Sequence, residues 1–154
     1  MSSPVAIVKT SPETVLEDYG RVMRLAGYDV ALPRERDTIL KLNLSWTLFY
    51  PACSSPPWQL DGVLTTMLAD GYERKSLLPV ENKTVVTDPW KGARNNGWLG
   101  TLEREKIPFT DLPSVEWMNY RFDSDLLVLN RIFPEGIQIP RMFVGRNVLH
   151  MPTI

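Results

Sequence analysis

The chain is poor in the residues that build metal and disulfide sites. It has one cysteine, Cys53, and one histidine, His150, in 154 residues. A single thiol excludes an internal disulfide, and it excludes an iron–sulfur cluster or Cys-rich zinc site held by this chain alone. A lone histidine needs carboxylate or thiolate help to hold a metal. Long apolar runs are also missing: nothing approaches the ~20 residues of a membrane-spanning helix. Met1-Ser2-Ser3-Pro4 has no basic start followed by an apolar stretch, so no signal peptide is visible and a cytoplasmic protein is expected. For the same reason Asn82-Lys83-Thr84 is a chance match to the glycosylation pattern. With Lys+Arg 17 against Asp+Glu 18 there is no excess of one sign, hence no global attraction to nucleic acid or to an acidic membrane. The dinucleotide G-x-G-x-x-G, the P-loop, G-x-S-x-G and H-E-x-x-H are all absent.

What remains is an ordinary globular composition, 44% hydrophobic and 23% charged, long enough for one domain spanning 1–154. Its most informative stretch runs from Thr38 to Tyr72. Thr38–Leu44 reads as a strand with two unlike faces: Leu40, Leu42 and Leu44 on one, Ile39, Lys41 and Asn43 on the other. A Pro/Ser-rich loop follows, and Ser55-Pro56 opens a helix that Gly71 stops. An earlier helix runs from Ser11-Pro12 to Gly27, preceded by a short strand at Val5–Lys9. The two helices share a frame of 16 positions, Ser-Pro to Gly-Tyr, which is read as common helix punctuation rather than duplication. Further strands are expected at Lys83–Thr87, at Asp125–Arg131 (buried on both faces) and at Asn147–Met151, with an extended piece at Val115–Tyr120. Gly92 to Gly97 reads as a loop or frayed helix start, Trp98–Lys106 as a helix ended by Pro108, and 134–140 as a connector. Strands alternating with amphipathic helices predict an α/β fold with a mainly parallel sheet, Rossmann-like in layout. A final strand with no covering helix after it predicts an amino-terminal piece of a longer protein.

In open α/β sheets, ligands lie beyond the carboxyl ends of the strands. Lys41 and Asn43 occupy one such end, Asp88 and Lys91 the next, Asn130 and Arg131 a third, and His150 the last. The N–H groups at the helix start after Ser55 would add an anion cradle. Together these suit a phosphate or carboxylate, with Lys41 holding charge, Asn43 orienting the ligand, and His150 serving as acid–base group or metal ligand. Each has a plainer reading. Lys41 can snorkel from an edge strand, Asn43 and Asp88 can serve turns, Asn130 and Arg131 can solvate a loop, and His150 can be structural. Cys53 has no base beside it in the sequence and is not read as a nucleophile. The mixed aromatic and basic stretch from Trp90 to Trp98 is one loop in a near-neutral chain and does not imply nucleic-acid binding.

The order of these pieces resembles the family catalogued as domain of unknown function 362. The similarity rests on Leu40-Lys41-Leu42-Asn43-Leu44, the Ser55-Pro56 helix ending Gly71-Tyr72, Val80-Glu81-Asn82 leading into Lys83-Thr84-Val85-Val86, and Val148-Leu149-His150-Met151-Pro152-Thr153. The resemblance implies that the chain continues into a further lysine- and histidine-bearing segment. It also implies partnership with ferredoxin-like iron–sulfur modules, which some members carry, although Cys53 alone cannot hold a cluster. It supplies no reaction. Two functions follow. One is an enzyme fragment binding a small anionic or metal-associated ligand. The other is a non-catalytic module that docks a partner through the run Trp46-Thr47-Leu48-Phe49-Tyr50-Pro51.

Overall fold

A computed structural model describes residues 5–122 and 128–152. In chain order its elements are α1 (Val15–Leu25), α2 (Tyr28–Ala31), β1 (Thr38–Lys41), α3 (Pro57–Ala69), β2 (Leu77–Glu81), α4 (Pro89–Asn95), α5 (Trp98–Glu105), β3 (Thr110–Asp111), β4 (Trp117–Tyr120), α6 (Leu129–Ile132), β5 (Ile137–Pro140) and β6 (Asn147–His150). Among the described residues, four strands form an all-parallel sheet in the order β3-β2-β1-β6, and β4 with β5 forms a separate antiparallel pair. This is the expected α/β layout with a mainly parallel sheet.

The alternation read in Thr38–Leu44 divides the core. Leu40, Leu42 and Leu44 are buried with Leu60, Leu64 and Met67 of α3 and Trp98 and Leu102 of α5. Ile39 points the other way, into a smaller cluster with Val80 and Leu112, against which Trp117, Met142 and Phe143 pack. Both faces of β1 are therefore covered, as a central parallel strand requires. Helix α1 lies across α3 at a close crossing. Gly62 of α3 is buried, and a Cβ there would stand 2.7 Å from the Tyr19 Cβ.

Several boundaries differ from the sequence reading. Val5–Lys9 is not a strand: Val5 and Ile7 are exposed and the segment pairs with no sheet edge. The first helix starts at Val15, capped at Thr14, because Ser11 to Thr14 is occupied by its own turn. The glycine stops hold, with φ of 66° at Gly27 and 91° at Gly71. Strand β1 ends at Lys41, three residues early.

The third strand is Leu77–Glu81, not Lys83–Thr87. A central proline, Pro79, argues against a strand on general grounds. Here it is harmless for a geometric reason. Val80 turns its carbonyl toward β1, where it accepts from the Leu42 N–H. Its neighbour Pro79 therefore faces β3, which starts only opposite Val80. The β-branched run after it closes into a turn instead, with the Thr84 N–H donating to the Thr87 hydroxyl oxygen at 2.9 Å.

Gly92 lies inside α4, whose first turn is fixed by the Asp88 cap rather than frayed. Trp98 to Glu105 is helical as expected, and Lys106 ends it at a φ of 56°. The extended piece at Val115–Tyr120 contains β4, and the expected connector at 134–140 contains its partner β5. The expected strand Asp125–Arg131 falls partly outside the described residues. Its described end is the short helix α6, with Leu129 and Ile132 exposed rather than buried in a sheet.

Candidate functional site

The parallel register sets the carboxyl rim. Lys41 lies opposite Val80 on one side and His150 on the other, so the ends of β1, β2 and β6 do meet. The centre of this rim is Glu81, a buried carboxylate that the sequence reading passed over. One oxygen accepts from the Lys41 ammonium at 2.7 Å and from the Asn82 N–H at 2.7 Å; the other accepts from the Leu44 N–H at 2.7 Å. The Lys41 ammonium also donates to the Leu42 carbonyl. The expected anion-holding charge is thus paired within the protein. A buried carboxylate paired with a half-buried ammonium and satisfied on several sides is a structural junction between strand ends.

Ser55 is a second junction. Its hydroxyl oxygen accepts from the Asn43 N–H at 3.0 Å and donates to the Met151 carbonyl at 2.8 Å. Its own N–H donates to the Asn43 carbonyl at 2.9 Å, and its carbonyl accepts from the Trp98 indole at 2.6 Å. The anion cradle expected at this helix start is largely spent. The Ser55 N–H is used, Pro56 and Pro57 have none, and the Gln59 and Leu60 N–H groups bond to the Pro56 carbonyl. Ser55 binds strand ends together instead.

The other expected site residues divide. Asn43 reaches the rim, but its amide donates to the Ser45 hydroxyl. Asp88 caps α4, accepting from the Lys91 N–H at 2.9 Å, which is the turn role. Lys91 and His150 are exposed at the rim. Asn130 and Arg131 lie on the short helix α6, so they do not stand at the end of a parallel strand as expected. Cys53 is half-buried in the loop between β1 and α3.

The loop after β1 carries the run read in the sequence as a docking surface. Trp46, Phe49 and Tyr50 are 39%, 57% and 56% exposed, with Leu48 also exposed between them. This loop is held in place without burying those rings. The Thr47 hydroxyl donates to the Val86 carbonyl at 3.0 Å and accepts from the Asp88 N–H at 2.8 Å, and the Asn95 amide donates to the Thr47 carbonyl at 2.8 Å. Val85, Val86 and Trp90 are exposed on the segments so joined. Lys83, Lys91 and Arg94 lie on the same two segments, and among the described residues none has a carboxylate within ion-pair distance.

Among the described residues, no three His, Cys, Asp or Glu side chains come together in a way that could hold a metal ion. The ferredoxin-like partnership implied by the family resemblance would place any iron–sulfur cluster on the partner, since a cluster needs several thiolates and this sequence has one. No helix among the described residues is long and apolar enough to cross a membrane. Comparisons with protein-family models, with curated proteins and with solved structures returned no match.

Proposed function

We propose that this α/β unit is a non-catalytic binding module that docks an acidic protein surface on the carboxyl rim of its sheet. The observation that carries the reading is the joint exposure of Trp46, Phe49 and Tyr50 on a loop fixed by Thr47. Ordering a loop costs conformational entropy, and large exposed rings gain nothing back until a partner covers them. Aromatic residues and arginine are the side chains enriched at protein interfaces. Lys83, Lys91 and Arg94 make this region basic in a chain whose net charge is -1, which selects an acidic partner by complementarity. The exposed aliphatic groups of Leu48, Val85 and Val86 suit a protein partner better than a nucleic acid, whose interfaces are far more strongly positive. Lys41 weighs against the enzyme reading, because its charge is already matched by Glu81. Membership of the domain of unknown function 362 family belongs to the same proposal, and it supplies a ferredoxin-like module as a candidate partner.

Selection from a random peptide display library tests the reading. Peptides chosen on the wild-type protein are expected to be rich in Asp and Glu around an apolar anchor. The triple variant Trp46→Ala, Phe49→Ala, Tyr50→Ala should bind them roughly 30-fold or more weakly with its thermal unfolding unchanged. Selected peptides without acidic enrichment, or retained binding by the variant, would refute the proposal. Salt-sensitive binding of oligonucleotides that the variant loses would reassign the rim to nucleic acid. Protection of the three rings from hydroxyl-radical labelling in a longer chain would also overturn it.

A further inference from the structure

β6 bonds to β1 through alternate residues. Its Asn147 N–H donates to the Asp37 carbonyl and its Met151 N–H to the Lys41 carbonyl. Val148 and His150 turn their N–H and C=O groups the other way, toward an edge where no strand pairs among the described residues. Such an edge can take up any extended chain, and proteins generally cover it.

Helix α1 is short of a floor on the same side. Gly20 is its one buried residue, while Val15, Tyr19, Val22 and Met23 are only half-buried. Between α1 and β6 lies a cleft of about 240 Å³ lined by Tyr19, Val22 and Leu149, with Tyr28, Gln59 and His150 among its polar members. Tyr19 and Val22 also border a second cavity, of about 180 Å³, together with Val8. Residues 5–9 therefore run beside the apolar face of α1. Their exposure alternates as in a strand: Ala6 and Val8 are half-buried, whereas Val5 and Ile7 are 87% and 88% exposed.

The connection has the right hand. α1 and α3 run side by side in one direction, since Tyr19 meets Gly62 and Arg24 reaches Asp70. α3 carries the chain from β1 to β2. A strand on the open edge of β6, followed by α1 and then β1, crosses the same face and steps the same way along the sheet. Its crossover shares the hand of β1-α3-β2, as parallel connections require.

We infer that residues 5–9 are a strap that leaves the position described and closes on β6 as a fifth parallel strand. The faces set the register. Val8 already borders α1, so it takes the place beside Leu149, which shares its face with Leu40. Ile7 then lies beside Val148, itself 47% exposed, and each covers the other. In this register the Val148 N–H donates to the Ala6 carbonyl, the His150 N–H to the Val8 carbonyl, and the Val8 N–H to the Val148 carbonyl. Closure removes an edge open to other chains and gives α1 its floor. The inference does not rest on docking at the rim, with which it shares His150.

Cysteine cross-linking in the chain carrying Cys53→Ser tests the register. Neighbouring strands hold partner Cα atoms about 5 Å apart, within disulfide range. Ile7→Cys with Val148→Cys is expected to form an intrachain disulfide on mild oxidation. Val8→Cys with Val148→Cys should not, because those side chains take opposite faces. Amide exchange tests the pairing without cysteines. The Val148 and His150 amide hydrogens should exchange about tenfold or more slowly in the wild-type protein than in Val8→Pro, which lacks the N–H for the Val148 carbonyl. Residue 8 lies outside the helices and strands described, so this change leaves the sheet intact for the comparison. Equal exchange in the two proteins would overturn the inference, as would failure of the Ile7 and Val148 pair to cross-link or equal cross-linking of both pairs. Disulfides found only between chains would overturn it too, since a second copy would then fill the edge.

Discussion

The crossing of α1 over α3 yields a prediction whose sign is set by geometry. In an exposed helix position, Gly→Ala stabilises by about 0.5–1 kcal/mol through backbone entropy. At Gly62 the new Cβ would lie 2.7 Å from the Cβ of Tyr19, 2.9 Å from its Cγ and 3.0 Å from its Cδ2. The nearest of these atoms is fixed to the backbone of α1, so no rotamer change relieves it and the helices must separate. Nearby, the Thr66 hydroxyl approaches Gly20 of α1, so the whole contact is built for close approach. Overpacking of this kind costs about 1–3 kcal/mol, and subtracting the propensity gain leaves Gly62→Ala destabilised by up to about 2.5 kcal/mol. In a chain of this size each kcal/mol lowers the melting temperature by about 2–4 °C. Gly100 is the control. It lies in α5 with nothing within 4 Å of its built Cβ, so Gly100→Ala should raise stability by about 0.5–1 kcal/mol. Urea unfolding of both variants, followed by far-ultraviolet circular dichroism, gives the comparison. If Gly62→Ala is stabilised as much as Gly100→Ala, the close crossing is wrong.

Two further outcomes follow from the ion pairs. Glu81→Ala and Lys41→Ala should each cost about 2–4 kcal/mol, the first because it strands two backbone N–H groups, the second because it leaves a carboxylate only 6% exposed without its counter-charge. A loss below about 1 kcal/mol from either change in denaturant titrations would show that Glu81 is no junction. Asp70 supplies the pH dependence. The Arg24 guanidinium, hydrogen-bonded to Asp70 through two nitrogens, holds its carboxyl below the usual range, with the Tyr28 hydroxyl as a further donor. A lowered carboxylate contributes stability above its unfolded value, and that contribution is lost as pH falls through the folded one. The wild-type protein should therefore be more stable than Asp70→Asn at neutral pH, and the two should converge below about pH 4. A gap that persists into acid would contradict the assignment.

Local pattern carried the parts of this fold that depend on periodicity. The Leu40/Leu42/Leu44 face, the helix stops at Gly27 and Gly71, and the parallel α/β layout all follow from spacing and from glycine's tolerance of positive φ. Misreadings occurred where a partner decides. β-propensity alone does not make a strand: Val85 and Val86 are β-branched, yet no neighbouring edge reaches them, and Thr84 and Thr87 close a turn around them. Leu77–Glu81 looks poor because of Pro79, yet the proline faces the side where β3 has not begun. Leu129 follows a run of apolar residues that suggests a buried strand, but the described end of that run is helical and exposed.

The rim shows why site residues are harder to read than folds. Lys41 and Asn43 looked exceptional because each was judged against its own strand. Glu81 is 40 residues away along the chain, and only the parallel register of β1 with β2 brings its carboxylate to the Lys41 ammonium. Once that contact is made, a cation that seemed to await a ligand becomes half of a neutral pair. The same logic acts in reverse on Trp46, Phe49 and Tyr50. The core beside this aromatic run is already filled by Leu60, Leu64 and Trp98, and Thr47 fixes the loop by hydrogen bonds, so the rings stay exposed. In each case the deciding quantity is whether a partner exists across the fold, and that is what spacing along one segment does not encode.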